Sequence, residues 1–111
     1  MSQKIHREVP LSDGDPQFGF IMIRGVPHRI EAIRDLEKQI GGTIVRDEAV
    51  LANLDKIVQT YVTRNKKFPE LVQDSLTRDR FVPVRVSIPS VTEGVPMNMT
   101  IYFMLPLVMR V

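Results

Sequence analysis

Apolar residues recur at intervals of three and four between positions 47 and 64, and this spacing predicts an amphipathic helix. The apolar stripe consists of Val50, Leu51, Leu54, Ile57, Val58, Tyr61 and Val62. Asp47 and Glu48 stand at the positive end of the helix dipole and Arg64 at its negative end, where each charge is favourable. The pattern therefore predicts a helix from about Asp47 to Arg64 with one face in the core.

Two further segments carry helical signals that depend on proline and glycine. The first is predicted to open at residues 25–27, because Pro27 has no N–H and suits the first helical position. Its apolar stripe is Ile30, Ile33, Leu36 and Ile40. Gly41 and Gly42 are predicted to end it, because glycine accepts the left-handed geometry of a helix terminus. A short third helix is predicted over residues 69–76, again with a proline at its start.

Strands are predicted where the alternation changes to every second residue. Residues 18–24 are apolar on both faces, which predicts a central strand. Either the domain covers both of its faces, or a partner covers one of them. Residues 43–46 predict a second, short strand. Residues 82–88 and 97–105 alternate on either side of a turn at 90–95, so they predict a β-hairpin with one fully apolar face.

The order of these elements predicts an α+β fold. We expect a two-layer domain with a mostly antiparallel sheet and two to three helices on one face. The strand, helix, double glycine and strand of the first half are also compatible with a ferredoxin-like unit. Residues 1–16 are polar and are expected to form an N-terminal tail, residues 17–111 a single domain, and residues 107–111 a further short strand.

Composition narrows the class of protein. The chain has 111 residues, of which 43% are apolar and 25% charged, and this suits one globular domain. It has no cysteine, so disulfides and thiol chemistry are excluded. The sequence shows neither a secretory signal nor an apolar run of membrane length. We therefore expect no membrane insertion and a cytoplasmic location, or one in the interior of an assembly such as a virion.

Candidate catalytic groups are few and scattered. His28 is expected to be an exposed residue in a first helical turn, and its alternative role is that of a general base near Glu31. His6 lies far from it in the sequence, so the two histidines make a poor metal site. Glu31, Asp35 and Glu37 are expected on a solvated helix face among basic residues. We expect a non-enzymatic protein with no catalytic residue, cofactor or metal.

Basic residues are concentrated in the second half of the chain. Residues 61–111 carry seven Lys or Arg against four Asp or Glu, whereas residues 1–60 carry eight against nine. The candidates for nucleic-acid contacts are Arg64, Lys66, Lys67, Phe68, Arg78 and Arg80. Cations neutralise phosphates and an aromatic ring stacks on bases, but cations beyond a helix C-terminus also favour the helix dipole without any ligand. Both interpretations are open.

Methionines are concentrated in the C-terminal strand, where four of the six fall within the last 15 residues. Residues 102–109 are apolar on both faces, so either the rest of the domain covers both faces or one face meets a partner subunit. The candidate interface residues are Met97, Met99, Met104, Leu107 and Met109. Our leading hypothesis is a structural or protein–protein interaction module that self-associates or joins a larger assembly through its apolar C-terminal hairpin. The alternative is a small nucleic-acid-binding domain that uses residues 64–85.

Overall fold

A computed structural model describes residues 9–10, 19–64, 66–88 and 97–107 of the chain. The elements in chain order are β1 (Val9–Pro10), β2 (Phe20–Ile23), β3 (Val26–Arg29), α1 (Ile30–Ile40), β4 (Thr43–Ile44), α2 (Glu48–Thr63), β5 (Val72–Gln73), β6 (Arg80–Ile88) and β7 (Met97–Met104). The predicted α+β class is confirmed. Within the described residues the strands form two separate sheets.

The predicted C-terminal hairpin is confirmed and forms the centre of the larger sheet. β6 and β7 pair in antiparallel register from Phe81 opposite Met104 to Ile88 opposite Met97. Two short strands share the edge of β6 that faces away from β7. β5 pairs antiparallel with the first residues of β6, and β1 pairs parallel with its last residues. β1 belongs to the segment that was predicted as a tail. β4 pairs antiparallel with the end of β7. The sheet is therefore mostly antiparallel, with the order β1–β6–β7–β4 and β5 beside β6.

The prediction that residues 25–27 open a helix is wrong. β2 and β3 form an antiparallel hairpin in which Ile23 opposes Val26, so Arg24 and Gly25 are a two-residue loop. Their φ angles are 52° and 76°. Positive φ at both loop residues is the signature of a type I′ turn, whose twist matches that of the flanking strands.

Pro27 fits this hairpin without losing a ladder hydrogen bond. It opposes Met22 in the pair next to the one that closes the loop, and such a pair exchanges no backbone hydrogen bonds. β2 is consequently part of a two-stranded sheet and not the central strand predicted for residues 18–24. Ile21 and Ile23 are buried, whereas Met22 on the opposite face is exposed.

Both long helices are present with local termini that the sequence explains. α2 is confirmed, and Asp47 caps it by accepting hydrogen bonds from the N–H groups of Ala49 and Val50. α1 begins at Ile30 and ends at Ile40, and the next residue, Gly41, caps it, because its φ of 75° allows its N–H to reach the Glu37 carbonyl. The strands directly before and after α1, β3 and β4, belong to different sheets, so the ferredoxin-like unit is not formed in the described chain.

The prediction of a third helix over residues 69–76 is also wrong. Val72 and Gln73 form β5, and Val72 is buried opposite Phe81. Asp74 then holds a tight turn, because its carboxylate accepts a hydrogen bond from the Leu76 N–H and its carbonyl one from Arg78. Pairing with β6 thus decides the conformation of this segment.

The core includes residues from both faces of the β6–β7 hairpin. The buried residues of its apolar face are Val82, Val84, Val86, Ile101 and Phe103. They form one hydrophobic cluster with the buried residues of the helices and of β2, which are Ile33, Leu36, Leu51, Leu54, Val58, Ile21 and Ile23. On the opposite face Phe81, Pro83 and Tyr102 are buried as well, so this hairpin is covered on both sides near the end of β7.

Candidate functional site

The outer edge of β7 is only partly occupied by β4. Thr43 and Ile44 pair with Met104 and Phe103, and the Val45 N–H donates to the carbonyl of Tyr102 at 2.9 Å. The described residues provide no strand partner for this edge from Met97 to Ile101. Five residues of a long, central strand are therefore open on one side in the described part of the chain.

The direction of the unpaired backbone groups follows from the pairing. In an antiparallel strand the N–H and C=O of one residue point to the same side, and successive residues alternate. Because the Tyr102 carbonyl points toward β4, the N–H and C=O groups of Asn98 and Thr100 point outward on the same edge. These two N–H donors and two C=O acceptors are the groups with which an added strand can form hydrogen bonds.

β7 lacks the features that usually prevent an edge strand from pairing with another chain. Natural edges are often blocked by charged residues or proline, but β7 contains no Lys, Arg, Asp, Glu or Pro. Its neighbour β6, by contrast, contains Arg80, Pro83 and Arg85. The composition of β7 therefore leaves its open edge competent for pairing.

The five predicted interface residues are not equally available. Met104 is 42% exposed and Leu107 is 81% exposed, so both present apolar surface near the end of β7. Met99 is half-buried and packs against the core. The side chain of Met97 and the whole of Met109 lie outside the described residues.

The predicted nucleic-acid residues lie in two segments of the chain, on either side of β5. Arg64, Lys66 and Lys67 are exposed around the end of α2, whereas Arg78 is exposed in the turn that precedes β6 and Arg80 is exposed at its start. Phe68 is half-buried against the core, and the Arg85 guanidinium lies 4.7 Å from its ring centroid. A ring held in this way is not free to stack on a base.

Two recesses lie beside the second half of α2. An open groove of about 600 Å³ is lined by Asp55, Lys56, Gln59, Thr60, Thr63 and Arg64. A smaller recess of about 250 Å³ is lined by Ile57, Thr60, Tyr61, Arg64 and Lys66, with the Lys66 ammonium 5.9 Å from the Tyr61 ring centroid. Arg64 lines both, so the two recesses share one cationic wall.

A polar cluster that sequence reasoning missed joins three elements. The Tyr102 hydroxyl donates to the Asp55 carboxylate at 2.7 Å, and the Arg24 guanidinium pairs with that carboxylate at 2.9 Å. Burial raises the pKa of Tyr102, and the Asp55 carboxylate raises it further, so the phenol stays protonated and acts as a donor. Because each group is satisfied by its neighbours, the cluster is a structural link and not an acid–base pair.

His28 was expected to be exposed, and the structure contradicts this expectation. It lies on β3 opposite Ile21 and is fully buried, and no described residue forms a hydrogen bond with either ring nitrogen. Burial lowers the pKa of His28 to about 4. The sequence signal for this burial is the alternation along β3, which puts His28 on the same face as Val26. It is readable only if residues 20–29 are recognised as a hairpin. A base at this position cannot reach a dissolved substrate without opening of the fold.

The carboxylates of α1 also differ from one another. Glu31 and Asp35 are exposed as expected, but Glu37 is half-buried. It accepts a hydrogen bond from the Ile44 N–H at 3.0 Å and pairs with Arg34 at 2.8 Å. The backbone hydrogen bond and then Arg34 lower its pKa. Glu37 thus fixes β4 beside the helix and is not part of a purely solvated face.

No family model, curated protein or solved structure matches the chain, so its function has to be inferred from its own geometry. The described residues contain no group of three or more His, Asp or Glu side chains arranged to hold a metal ion. Within the same ranges, neither helix has the length and apolar character needed to cross a membrane.

Proposed function

We propose that the protein is a non-enzymatic interaction module that self-associates or joins a larger assembly through β7. The observation that carries this proposal is the outer edge of Met97 to Ile101, which no described strand covers, in a strand with no charge and no proline. An edge of this kind gains affinity from main-chain hydrogen bonds when another strand is added to it. Exposed Met104 and Leu107 supply apolar surface near the end of the same strand.

The arrangement of polar groups supports a non-enzymatic role. Within the described part of the chain His28 is buried and has no hydrogen-bond partner, and the carboxylate of Asp55 is engaged by Tyr102 and Arg24. General acid–base catalysis requires a titrating group within hydrogen-bond reach of a substrate. His28 is shielded from solvent, and Asp55, although it lines the open groove, already holds two partners. Binding through a strand edge requires no such group.

The alternative function, nucleic-acid binding, is supported by one observation. Arg64 and Lys66 line the same recess beside Tyr61, and Lys56 lines the adjoining groove. Cations gathered in this way can neutralise phosphates. Phe68, the aromatic residue among these candidates, packs against the core and contacts Arg85, so we favour the assembly function.

The test is the mass of the untagged protein, measured by size-exclusion chromatography with light scattering while absorbance is recorded at 260 and 280 nm. We expect a mass above that of one chain for the wild type and a single-chain mass for the double variant Asn98→Glu/Thr100→Glu, because edge charges oppose strand pairing. The matched control is Asn53→Glu/Gln59→Glu, which adds the same charge to exposed positions of α2 and should keep the wild-type mass.

Two results would overturn the assembly proposal. One is a single-chain mass for the wild type at every concentration, with no co-purifying protein. The other is a high 260 nm absorbance that disappears in strong salt and in the variant Lys66→Glu/Lys67→Glu, which would favour the nucleic-acid alternative.

A further inference from the structure

We propose that the open edge of β7 pairs with the same edge of a second copy, antiparallel, with Met99 facing its own counterpart across a twofold axis. This inference rests on the proposed assembly function and names its partner and register. A twofold dimer uses one self-complementary patch on both subunits. The result would be a continuous sheet that runs through both copies of the β6–β7 hairpin.

The chemistry of β7 favours a second copy of this chain as the occupant. When two antiparallel strands are related by a twofold axis, each residue lies opposite the same residue of the second copy or one close to it. A charged residue near the axis would therefore lie close to a like charge. β7 has no charged residue. In the proposed register the Asn98 side chain faces Thr100 of the second copy, which places an amide opposite a hydroxyl with which it can form a hydrogen bond.

The backbone selects this register among the twofold alternatives. Asn98 and Thr100 carry the outward groups, and pairing each with the other in the second copy satisfies all of them. A shift of two residues in one direction places Asn98 opposite Tyr102, whose carbonyl already accepts from Val45. A shift in the other direction places Thr100 opposite Pro96, which has no N–H to donate.

The absence of cysteine makes the register directly testable by disulfide formation. Met99 and its counterpart form a non-hydrogen-bonded pair with Cα atoms about 4.5 Å apart, within the range that a disulfide spans. Under mild oxidation we expect Met99→Cys to form a covalent dimer. We also expect a mixture of Asn98→Cys and Thr100→Cys proteins to cross-link, because these positions face each other.

The single variants Asn98→Cys and Thr100→Cys are the controls. Each cysteine lies opposite the other position, so its own counterpart is displaced by two residues, about 7 Å along the strand, and beyond disulfide reach. Each variant alone should cross-link at least tenfold less than the mixture. Circular dichroism of every variant confirms the fold, and the exposed position 98 keeps the test independent of any loss of packing at Met99.

The outcomes separate this inference from the function on which it rests. One outcome is that the wild type is a dimer and Asn98→Glu/Thr100→Glu has a single-chain mass, while neither Met99→Cys nor the mixture forms a cross-link. This outcome would overturn the register and leave the assembly function standing. A wild-type assembly that contains a different protein would also overturn the inference. A single-chain wild type without a co-purifying protein would overturn both.

Discussion

His28 shows how one side chain can be misjudged from its neighbours in sequence. Beside a proline and ahead of a helical stripe, it fits an exposed first turn. In the structure it is fully buried, and neither ring nitrogen has a hydrogen-bond partner in the described ranges. A buried polar group without a hydrogen bond costs about 1–3 kcal/mol, so β3 carries a destabilising residue at this position.

This burial predicts that acid weakens the fold. The pKa of His28 is about 4 in the folded chain and about 6.5 in a free histidine. Between these values the unfolded chain binds a proton that the folded chain does not, so the free energy of unfolding falls as pH falls from about 7 to about 4. The full difference is about 3 kcal/mol.

The measurement is urea unfolding at pH 7, 5.5 and 4 for the wild type and for His28→Leu. Leucine does not titrate, so the gap in stability between the two proteins should move in favour of the variant by about 3 kcal/mol across this range. Parallel pH profiles for the two proteins would show that His28 is accessible to protons in the native state.

At the scale of elements, α2 was predictable because its signals are local. Its apolar stripe and its cap lie within one short stretch of chain, so no distant contact was needed to recognise it. Prolines misled the prediction elsewhere, because a fixed φ near −65° suits a first helical turn and also a strand. Pairing with the following strand β6 resolved the ambiguity for β5, and the Arg24–Gly25 turn resolved it for β3.

The cap of α2 gives a prediction at this scale. Asp47→Ala removes the acceptor for two otherwise unpaired N–H groups, and we expect it to lower the free energy of unfolding by about 1 kcal/mol. Asp47→Asn keeps a side-chain oxygen at the same position and should stay within a few tenths of the wild type. Equal losses for both variants in urea unfolding would assign the effect to charge and not to capping.

At the scale of the whole molecule, the Arg24–Asp55–Tyr102 cluster ties the turn of the small sheet, α2 and the large sheet together. Asp55 is 31 residues from Arg24 and 47 residues from Tyr102 along the chain. No local pattern marks any of the three. Tyr102 is buried while the Asp55 side chain stays 43% exposed, so the cluster lies where the elements meet at the surface.

Removal of the hydroxyl tests this link. Tyr102→Phe deletes a hydrogen bond to a carboxylate, and we expect a loss of about 1.5 kcal/mol in the free energy of unfolding, near the lower end for such bonds because Asp55 can still be solvated. Tyr61→Phe is the matched control, since its ring contact with Lys66 does not use the hydroxyl. A Tyr102→Phe protein as stable as the control would show that water replaces the bond at no cost.

The sequence by itself determined the features that depend on short-range periodicity. These are the α+β class, α2, the helix stop at Gly41 and the register of alternation along β6 and β7, and each is confirmed. It also directed attention to the C-terminal hairpin through its methionines and through the apolar residues on both faces of 102–109. Side chains that repeat with the period of a helix or a strand bury one face wherever the element packs, so these features need no knowledge of the partner element.

Only the tertiary structure decided which edges are open and which polar groups are buried. Among the described residues, the edge at Asn98 and Thr100 has no strand partner because β4 is just two residues long, and nothing in the composition of β7 reveals that. His28 became buried and Asp55 became paired because distant segments packed against them. Hydrogen-bond partners and burial are properties of residues brought together across the chain, so they depend on the packing and not on the local pattern.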